Sequence, residues 1–373
     1  MTMAAPAAGK APGTGPGTGP GTGLRARPRL AIGIASGLLA VTLFLGLGIG
    51  AVAISPLSVV DAVAHALGLP GAGAAATPVE QSILTSVRLP RVLLGLLAGA
   101  ALALTGVLMQ AFFRNPLADP ALIGVSAGGA LGAVCMIVLG AAVFEGLSQA
   151  ASVFALPLAA FLGSLGACAV VFVLARQDGV VNVTTMLLCG IAVNAMAGAG
   201  IGFLSFMADD AQLRDLTFWS LGSLGAASWW QLQAVGPVLL ALLIAAPFLV
   251  MGLNALLLGD AEALHLGYRV ERLKLVVLLL TCAGAGAVVA MCGVIGFIGL
   301  IAPHMSRLIV GPDHRYVMPL AALLGAALLT GADIVARTAV APAELPIGVL
   351  TAVIGGPVFL WLLRQGRGKA FHA

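Results

Sequence analysis

The side chains of this chain that could carry out chemistry are few and scattered. Five cysteines and five histidines occur among 373 residues, with no Cys-x-x-Cys pair and no histidine cluster, so we expect free thiols and no bound metal. The phosphate-binding pattern Gly-x-x-x-x-Gly-Lys-Ser/Thr is absent, because none of the three lysines has those neighbours. The sequence therefore predicts no enzyme and no cofactor on this chain. Any ATP that its function consumes must be hydrolysed, with Mg²⁺, by another chain.

The composition identifies the medium around the chain. Only 9% of the residues are charged, 60% are hydrophobic, and the mean hydropathy is +1.10. A soluble protein of this composition could not cover its surface with polar groups. The apolar runs continue over about 20 residues, whereas strands of a membrane barrel alternate over about 10. We therefore predict an all-α, polytopic membrane protein, and we attribute the pI near 9.0 to basic loops and not to nucleic-acid binding.

Ten apolar runs divide the chain. They lie at about residues 30–52, 91–113, 122–139, 151–175, 184–207, 232–253, 273–292, 293–310, 317–335 and 347–363. We therefore expect a ten-helix transmembrane domain over residues 30–365. A disordered Gly/Pro-rich cytoplasmic tail is predicted at residues 1–29, and a short cytoplasmic tail at residues 366–373.

The basic residues give the orientation of these spans. With ten spans both termini lie on one side, and arginines such as Arg25 and Arg367 near the two ends place that side in the cytoplasm. Of the 18 lysines and arginines, 14 then fall on the cytoplasmic side. The exceptions, all predicted at the outer ends of spans, are Arg88, Arg91, Arg214 and Arg337.

The first apolar run imitates a secretory signal peptide, because it ends in Ala51-Val52-Ala53, which resembles a cleavage site. At about 23 residues it is longer than the usual apolar region of such a peptide. We expect a retained transmembrane helix.

Carboxylates are almost confined to loops. A carrier driven by protons or sodium usually needs carboxylates within its spans as coupling sites. Asp333 is the nearest exception, and Arg337, four residues later, can pair with it. An ion-coupled carrier is therefore disfavoured but stays open as an alternative.

The longest internal cytoplasmic segment runs from residue 254 to 274. Asp260 suits a helix N-cap, Glu262 the first turn and Gly267 a helix stop, so a two-turn helix is predicted there. One interpretation is an amphipathic segment resting on the membrane surface. The other is a coupling helix that docks on a soluble motor subunit.

Four strings of residues occur together in order along the chain. They are Arg88-Leu89-Pro90-Arg91; Gly106 to Gln110 followed by Arg114-Asn115-Pro116-Leu117-Ala118-Asp119-Pro120; Gly296 to His304; and Ala332 to Arg337 followed by Glu344-Leu345-Pro346-Ile347-Gly348. In these strings the chain resembles the permease family of bacterial ABC importers for iron siderophores, haem and vitamin B12. The similarity extends over roughly residues 30–364.

The resemblance implies a set of partners. Such a permease is a homodimer in the bacterial inner membrane, docked to two ABC ATPase subunits and supplied by a periplasmic binding protein. Arg88, Arg91 and Arg337 match the family arginines that pair with glutamates of the binding protein. Three of the four exceptions to the orientation rule are thereby explained.

The resemblance also implies roles for two further groups of residues. The cytoplasmic coupling segment corresponds to Gly259, Asp260, Ala261, Glu262, Ala263, Leu264, His265, Leu266 and Gly267. The translocation path and its gate correspond to Asn182, Thr184 and Thr185 at the cytoplasmic exit, and to a short outer helix at residues 215–225 that contains Phe218 and Trp219 and follows Arg214. The spacing of Gly124, Gly128 and Gly132 predicts tight helix packing, with a dimer contact as the alternative.

The substrate is less sharply indicated. The residues from Phe218 to Leu224, with Ser228-Trp229-Trp230, resemble the haem branch of the family more than the cobalamin branch. Ferric siderophore and cobalamin stay open as alternatives.

Overall fold

The structure, a computed structural model, describes residues 27–370 except residues 51, 53, 67–76, 144–148 and 178. Most of the predicted N-terminal tail and the last three residues lie outside the described part. The first helix already begins at Pro28, and the last helix continues to Ala370, so the helical region exceeds the predicted domain slightly at both ends.

Fifteen α-helices and one small hairpin follow one another along the described chain. They are α1 Pro28–Gly48, α2 Pro56–Ala66, α3 Pro78–Ile83, α4 Leu89–Phe112, α5 Val125–Val143, α6 Gln149–Ala175, β1 Arg176–Gln177, β2 Val180–Val181, α7 Val183–Met207, α8 Asp210–Ser220, α9 Trp229–Ala245, α10 Val250–Leu256, α11 Asp260–His265, α12 Val270–Cys292, α13 Ile298–Val310, α14 His314–Thr338 and α15 Ile347–Ala370. A π-helical turn, Leu84–Arg88, joins α3 to α4, and short 3₁₀ turns precede α5 and α10. The antiparallel hairpin between α6 and α7 was not predicted.

A helix lies at each of the ten predicted spans. Among the described residues, seven helical segments are long and apolar enough to cross a membrane. Helices α5, α13 and α15 contain shorter apolar segments, Val125–Gly140, Ile298–Val310 and Ile347–Leu360. The shortest, α13, has 13 residues, or about 20 Å of helix. The turn that separates it from α12 occupies residues 293–297, so α12 ends where its span was predicted to end, and α13 begins five residues after the predicted start at Gly293. A polytopic membrane protein is thus confirmed.

Glycines let the central helices approach closely. A β-carbon on Gly99 of α4 would lie 2.3 Å from the carbonyl oxygen of Gly325 in α14. A β-carbon on Gly106 would lie 1.8 Å from the carbonyl oxygen of Gly299 in α13. Because no side chain could fit, these glycines set the distance between α4 and its neighbours. Most of α4 is buried as a result.

The glycine-rich face of α5 packs within its own chain. A β-carbon on Gly128 would lie 2.4 Å from the carbonyl oxygen of Gly163, and one on Gly132 would lie 2.2 Å from that of Ala159. Both contacts are to α6. The predicted tight packing is therefore confirmed for these two residues, and the alternative of a dimer contact stays a prediction.

Helix α1 is joined to the rest of the bundle through its carboxyl end. The carbonyl oxygen of Gly46 accepts a hydrogen bond from Arg337, and those of Leu47 and Gly48 accept from Arg88. These hydrogen bonds attach α1 to α14 and to the π-helical turn before α4.

Helix α4 runs from one end of the bundle to the other. Arg91 lies in its first turn, and Arg114, just after its last residue, forms an ion pair with Asp260 across 3.8 Å. A helix of 24 residues is about 36 Å long. The predicted docking arginines and the predicted coupling segment therefore lie at opposite ends of the bundle, as the orientation argument requires.

Candidate functional site

A cluster of charged side chains joins α4 to α14 at one end of the bundle. Arg91 Nη2 lies 2.9 Å from Asp333 Oδ1, and Arg91 Nε also donates to this carboxylate at 3.0 Å. On the other side of the guanidinium, Nη1 and Nη2 donate to the two carboxylate oxygens of Glu344 at 2.8 and 2.9 Å. One arginine thus holds two acids, which is strong and geometrically specific pairing.

The other two predicted docking arginines are bonded chiefly to backbone. Arg337 Nη2 donates to the carbonyl oxygen of Gly46 at 2.6 Å, and its Nε lies 3.7 Å from Asp333. The predicted pairing of Asp333 with Arg337 is therefore confirmed, although the hydrogen bonds to Asp333 come from Arg91. Arg88 donates to carbonyl oxygens at the end of α1, including those of Leu47 and Gly48 at 2.5 and 2.6 Å.

All three of these arginines are buried in the single chain. Together with Asp333 and Glu344 they form a group of three cations and two anions. Glu344 is the accessible member, with 44% of its side chain exposed, compared with 8% for Arg91 and 3% for Asp333. Glu344 lies in one of the recognised strings, but no role was assigned to it from the sequence. The available signal was its position seven residues after Arg337.

The segment that carries Glu344 also contacts the short outer helix. The Ile347 N–H donates to the carbonyl oxygen of Gly222, and the Gly348 N–H to that of Leu221, each at 3.0 Å. A β-carbon on Gly348 would lie 2.3 Å from the Leu221 oxygen, so only glycine permits this approach. The charged cluster is thereby connected to the turn after α8.

The short outer helix has different bounds from those predicted. Helix α8 begins at Asp210 and ends at Ser220, because Asp209 and Gln212 form a reciprocal capping box at its start. The predicted helix at residues 215–225 therefore started too late, and Arg214 lies inside the helix instead of before it. The Asp-x-x-Gln spacing was a signal that sequence reasoning missed.

The predicted path residues separate into two kinds. Phe218 and Arg214 are exposed on the single chain, whereas Trp219 packs towards small residues of α5, α6 and α12. Asn182 is the N-cap of α7, at the end of that helix far from α8, and its side chain accepts a hydrogen bond from the Thr185 N–H at 3.0 Å. Thr184 is exposed beside it. The structure thus gives Asn182 a structural function whether or not it also lines a path.

The predicted coupling segment contains a six-residue helix, α11. Gly259, with φ of +126°, is its N-cap, so the prediction of an Asp260 N-cap is wrong by one residue. The Asp260 carboxylate instead accepts a hydrogen bond from Lys274 Nζ at 2.6 Å. Gly267, with φ of +89°, follows the helix as predicted.

The apolar residues of this helix divide between the protein and its surroundings. Ala263 is fully buried against the chain, whereas 64% of Leu264 and 60% of Leu266 is exposed. Two exposed leucines on a short helix at the end of the bundle form an apolar surface that a second surface could cover. A soluble subunit and the membrane surface are the two candidate occupants.

A hydrogen-bonded junction supports the same end of the bundle. Asn254 donates to Asp313 at 2.7 Å, and its carbonyl oxygen faces both the His314 N–H and the His314 Nδ1. Although burial opposes it, hydrogen bonds from the Arg315 N–H and the Asn254 amide lower the pKa of Asp313. His314 therefore has a structural role, because its contacts join the start of α14 to α10.

Asp119 lies deeper in the bundle than its place in a loop predicts. It borders a cavity of about 20 Å³ together with Leu102 of α4 and Gly299 of α13. Its Oδ1 accepts a hydrogen bond from the Ala121 N–H at 2.9 Å, and the Ala121 carbonyl oxygen accepts one from Asn194 of α7. Asp119 thus lies in a loop as predicted, but this loop reaches a cavity between α4 and α13.

Comparison with known proteins agrees with this arrangement. The sequence model of the FecCD transport family matches residues 38–365. The hemin transport system permease protein HmuU of Yersinia pestis is 47% identical over 282 residues, which cover 76% of this chain and 83% of that protein. The cobalamin import system permease protein BtuC of Halobacterium salinarum is 41% identical over 293 residues, covering 78% and 75%.

Two further comparisons cover more of the chain. The Fe(3+)-citrate import system permease protein YfmE of Bacillus subtilis is 36% identical over 338 residues, or 91% of this chain and 96% of that protein. A solved structure of a metal-chelate type ABC transporter in an inward-facing conformation superimposes with a TM-score of 0.77 at 32% identity, covering 91% of this chain and 99% of the other. The chain therefore belongs to the FecCD transport family, whose relatives named above are permease proteins of import and transport systems, and it is a multi-pass protein of the inner membrane.

Proposed function

We propose that this chain is the permease subunit of an ATP-driven haem importer. Two copies form the transmembrane unit, two ABC ATPase subunits bind its cytoplasmic face, and a periplasmic binding protein delivers haem to its outer face. The observation that carries the choice of substrate is the 47% identity with the hemin permease, against 41% for the cobalamin permease and 36% for the ferric citrate permease named above.

The proposed membrane arrangement has ten crossings with both termini in the cytoplasm. It is supported by ten helices at the ten predicted positions and by the basic residues around α11. Arg114, Arg269 and Lys274 all lie at this end of the bundle, and positive charge favours the cytoplasmic side. The end that carries Arg88, Arg91 and Arg337 then faces the periplasm.

The proposed dimer places the substrate path between two copies of the chain. Helix α7 supports this, because much of it is exposed in the single chain and no atom lies within 4 Å of where β-carbons on Gly198 and Gly202 would be. Asn182, Thr184 and Thr185 would lie at the cytoplasmic exit, with Arg214 and Phe218 at the outer entrance. Access to this path would alternate between the two faces of the membrane.

The proposed coupling uses α11. Closure of the ATPase subunits on ATP would push on Leu264 and Leu266, and the hydrogen bond between Asp260 and Lys274 would pass that movement to α12. The exposed leucines and the buried Lys274 ammonium support these roles.

The proposed docking of the binding protein uses Arg88, Arg91 and Arg337. Their position at the end opposite α11 supports this role, and charged pairs at such a rim steer the incoming partner. Because all three are buried and bonded internally, replacing them with glutamate would disturb the fold as well as docking. Docking is therefore better tested with milder substitutions.

Reconstitution tests the choice of substrate. The permease, assembled in nanodiscs with its ATPase, is incubated with its binding protein loaded with haem, cobalamin or ferric citrate, and ATP hydrolysis is measured. We expect the haem-loaded protein to stimulate hydrolysis and the other two to leave it near the basal rate. Stimulation by cobalamin or ferric citrate alone would reject haem while leaving the ABC permease assignment intact.

A further inference from the structure

Arg91 is already bonded on both edges of its guanidinium group. Asp333 occupies the edge formed by Nε and Nη2, and Glu344 occupies the edge formed by Nη1 and Nη2. A planar guanidinium offers its paired donors along these edges. A carboxylate from another protein can therefore pair with Arg91 in a bidentate manner only after one resident acid has moved away.

Asp333 and Glu344 differ in how easily their side chains can move away from Arg91. Asp333 is 97% buried on α14, where it also lies 3.7 Å from Arg337, so moving it would require rearrangement of the helix. Glu344 lies between α14 and α15, outside regular helix, and 44% of its side chain is exposed. Glu344 can thus exchange its guanidinium partner for water at little structural cost.

We propose that Glu344 is an intramolecular substitute for a carboxylate of the binding protein. It occupies the Nη1 and Nη2 edge of Arg91 while the permease is free, and an acidic side chain of the docking protein displaces it. This proposal rests on the proposed function, in which Arg91 receives the binding protein.

The physical effect is a lowered affinity. Docking must break two charge-assisted hydrogen bonds, of 2.8 and 2.9 Å, before it can form its own. The net gain is the difference between two similar pairings, so the complex forms and separates readily. An importer that must release its empty binding protein after each cycle benefits from such weak docking.

The test measures binding of the cognate binding protein to the assembled permease and ATPase complex in nanodiscs. Glu344→Gln keeps the size of the side chain but removes its charge, so we expect the Kd to fall about tenfold. Glu344→Asp keeps the charge but is one methylene shorter and cannot hold both Nη atoms, so a smaller fall is expected. The matched control is Glu80→Gln, which removes one carboxylate from the same end of the helix bundle. Glutamine at this position can still complete the capping box with Thr77.

A third variant distinguishes the docking role of the arginines from the substitute role of Glu344. Arg337→Gln removes a proposed docking cation that does not hydrogen-bond to Glu344, and we expect a higher Kd. If Arg337→Gln weakens binding while neither Glu344 variant tightens it, docking stands and the substitute role of Glu344 is overturned. If no variant alters the Kd, the docking role fails and the inference fails with it. Size-exclusion profiles verify that each variant is assembled.

Discussion

Lys274 Nζ donates a hydrogen bond to Oδ2 of Asp260 across 2.6 Å, and only 2% of the lysine side chain is exposed. Asp260 opens the short helix α11 and Lys274 lies in the second turn of α12, so this contact fixes one helix to the other. Glu271 adds a second carboxylate at 3.7 Å. The hydrogen bond between Asp260 and Lys274 thus links α11, the proposed ATPase contact, directly to α12.

We expect Lys274→Gln to weaken this link. The substitution removes the cation from Asp260, which is partly exposed, so the free energy of unfolding should fall by about 1–2 kcal/mol. The amount of substrate transported per ATP hydrolysed should fall as well, because α11 would move without α12. Thermal unfolding and reconstituted transport measure the two effects. Arg272, two residues earlier in α12, is exposed. Arg272→Gln should change neither the free energy of unfolding nor the substrate transported per ATP. Equal effects in the two variants would contradict the link between α11 and α12.

Gly106→Ala should destabilise the bundle. Its β-carbon would lie 1.8 Å from the Gly299 oxygen, so α4 and α13 must separate, at a cost of about 2 kcal/mol or more. The control is Gly166→Ala in α6, where no atom lies within 4 Å of the added carbon. Alanine should there be neutral or stabilising by about 0.5–1 kcal/mol. Thermal unfolding in detergent distinguishes them, and a Gly106→Ala protein as stable as the wild type would show that the helices are not in contact.

The two exposed leucines of α11 discriminate between the two possible occupants of that surface. If an ATPase subunit covers Leu264 and Leu266, replacing both with alanine should raise the Kd of the permease for the ATPase at least tenfold. The unfolding temperature should stay unchanged, because both side chains lie outside the core. Val79→Ala, an exposed apolar truncation at the other end, is the control. Unchanged ATPase affinity in the double variant would favour a helix that rests on the membrane.

The sequence by itself determined the polytopic helical architecture, the order of its apolar segments and the separation of Arg91 from Asp260. These properties follow from local composition, since the transfer free energy of a span is a sum over consecutive residues and basic residues act near the span that they flank. The four strings of residues that resemble the permease family indicated the class of transporter. Element boundaries were less secure: the start of α8 was predicted five residues late because a capping box was overlooked.

Only the tertiary structure decided the partners of the buried charges. Arg91 meets Asp333 and Glu344, which follow it by 242 and 253 residues, because glycine contacts such as that of Gly99 with Gly325 bring α4 against α14. The depth of Asp119 and the inward packing of Gly128 have the same origin. A hydrogen bond depends on where two backbones cross in space, and no local sum along the chain contains that information.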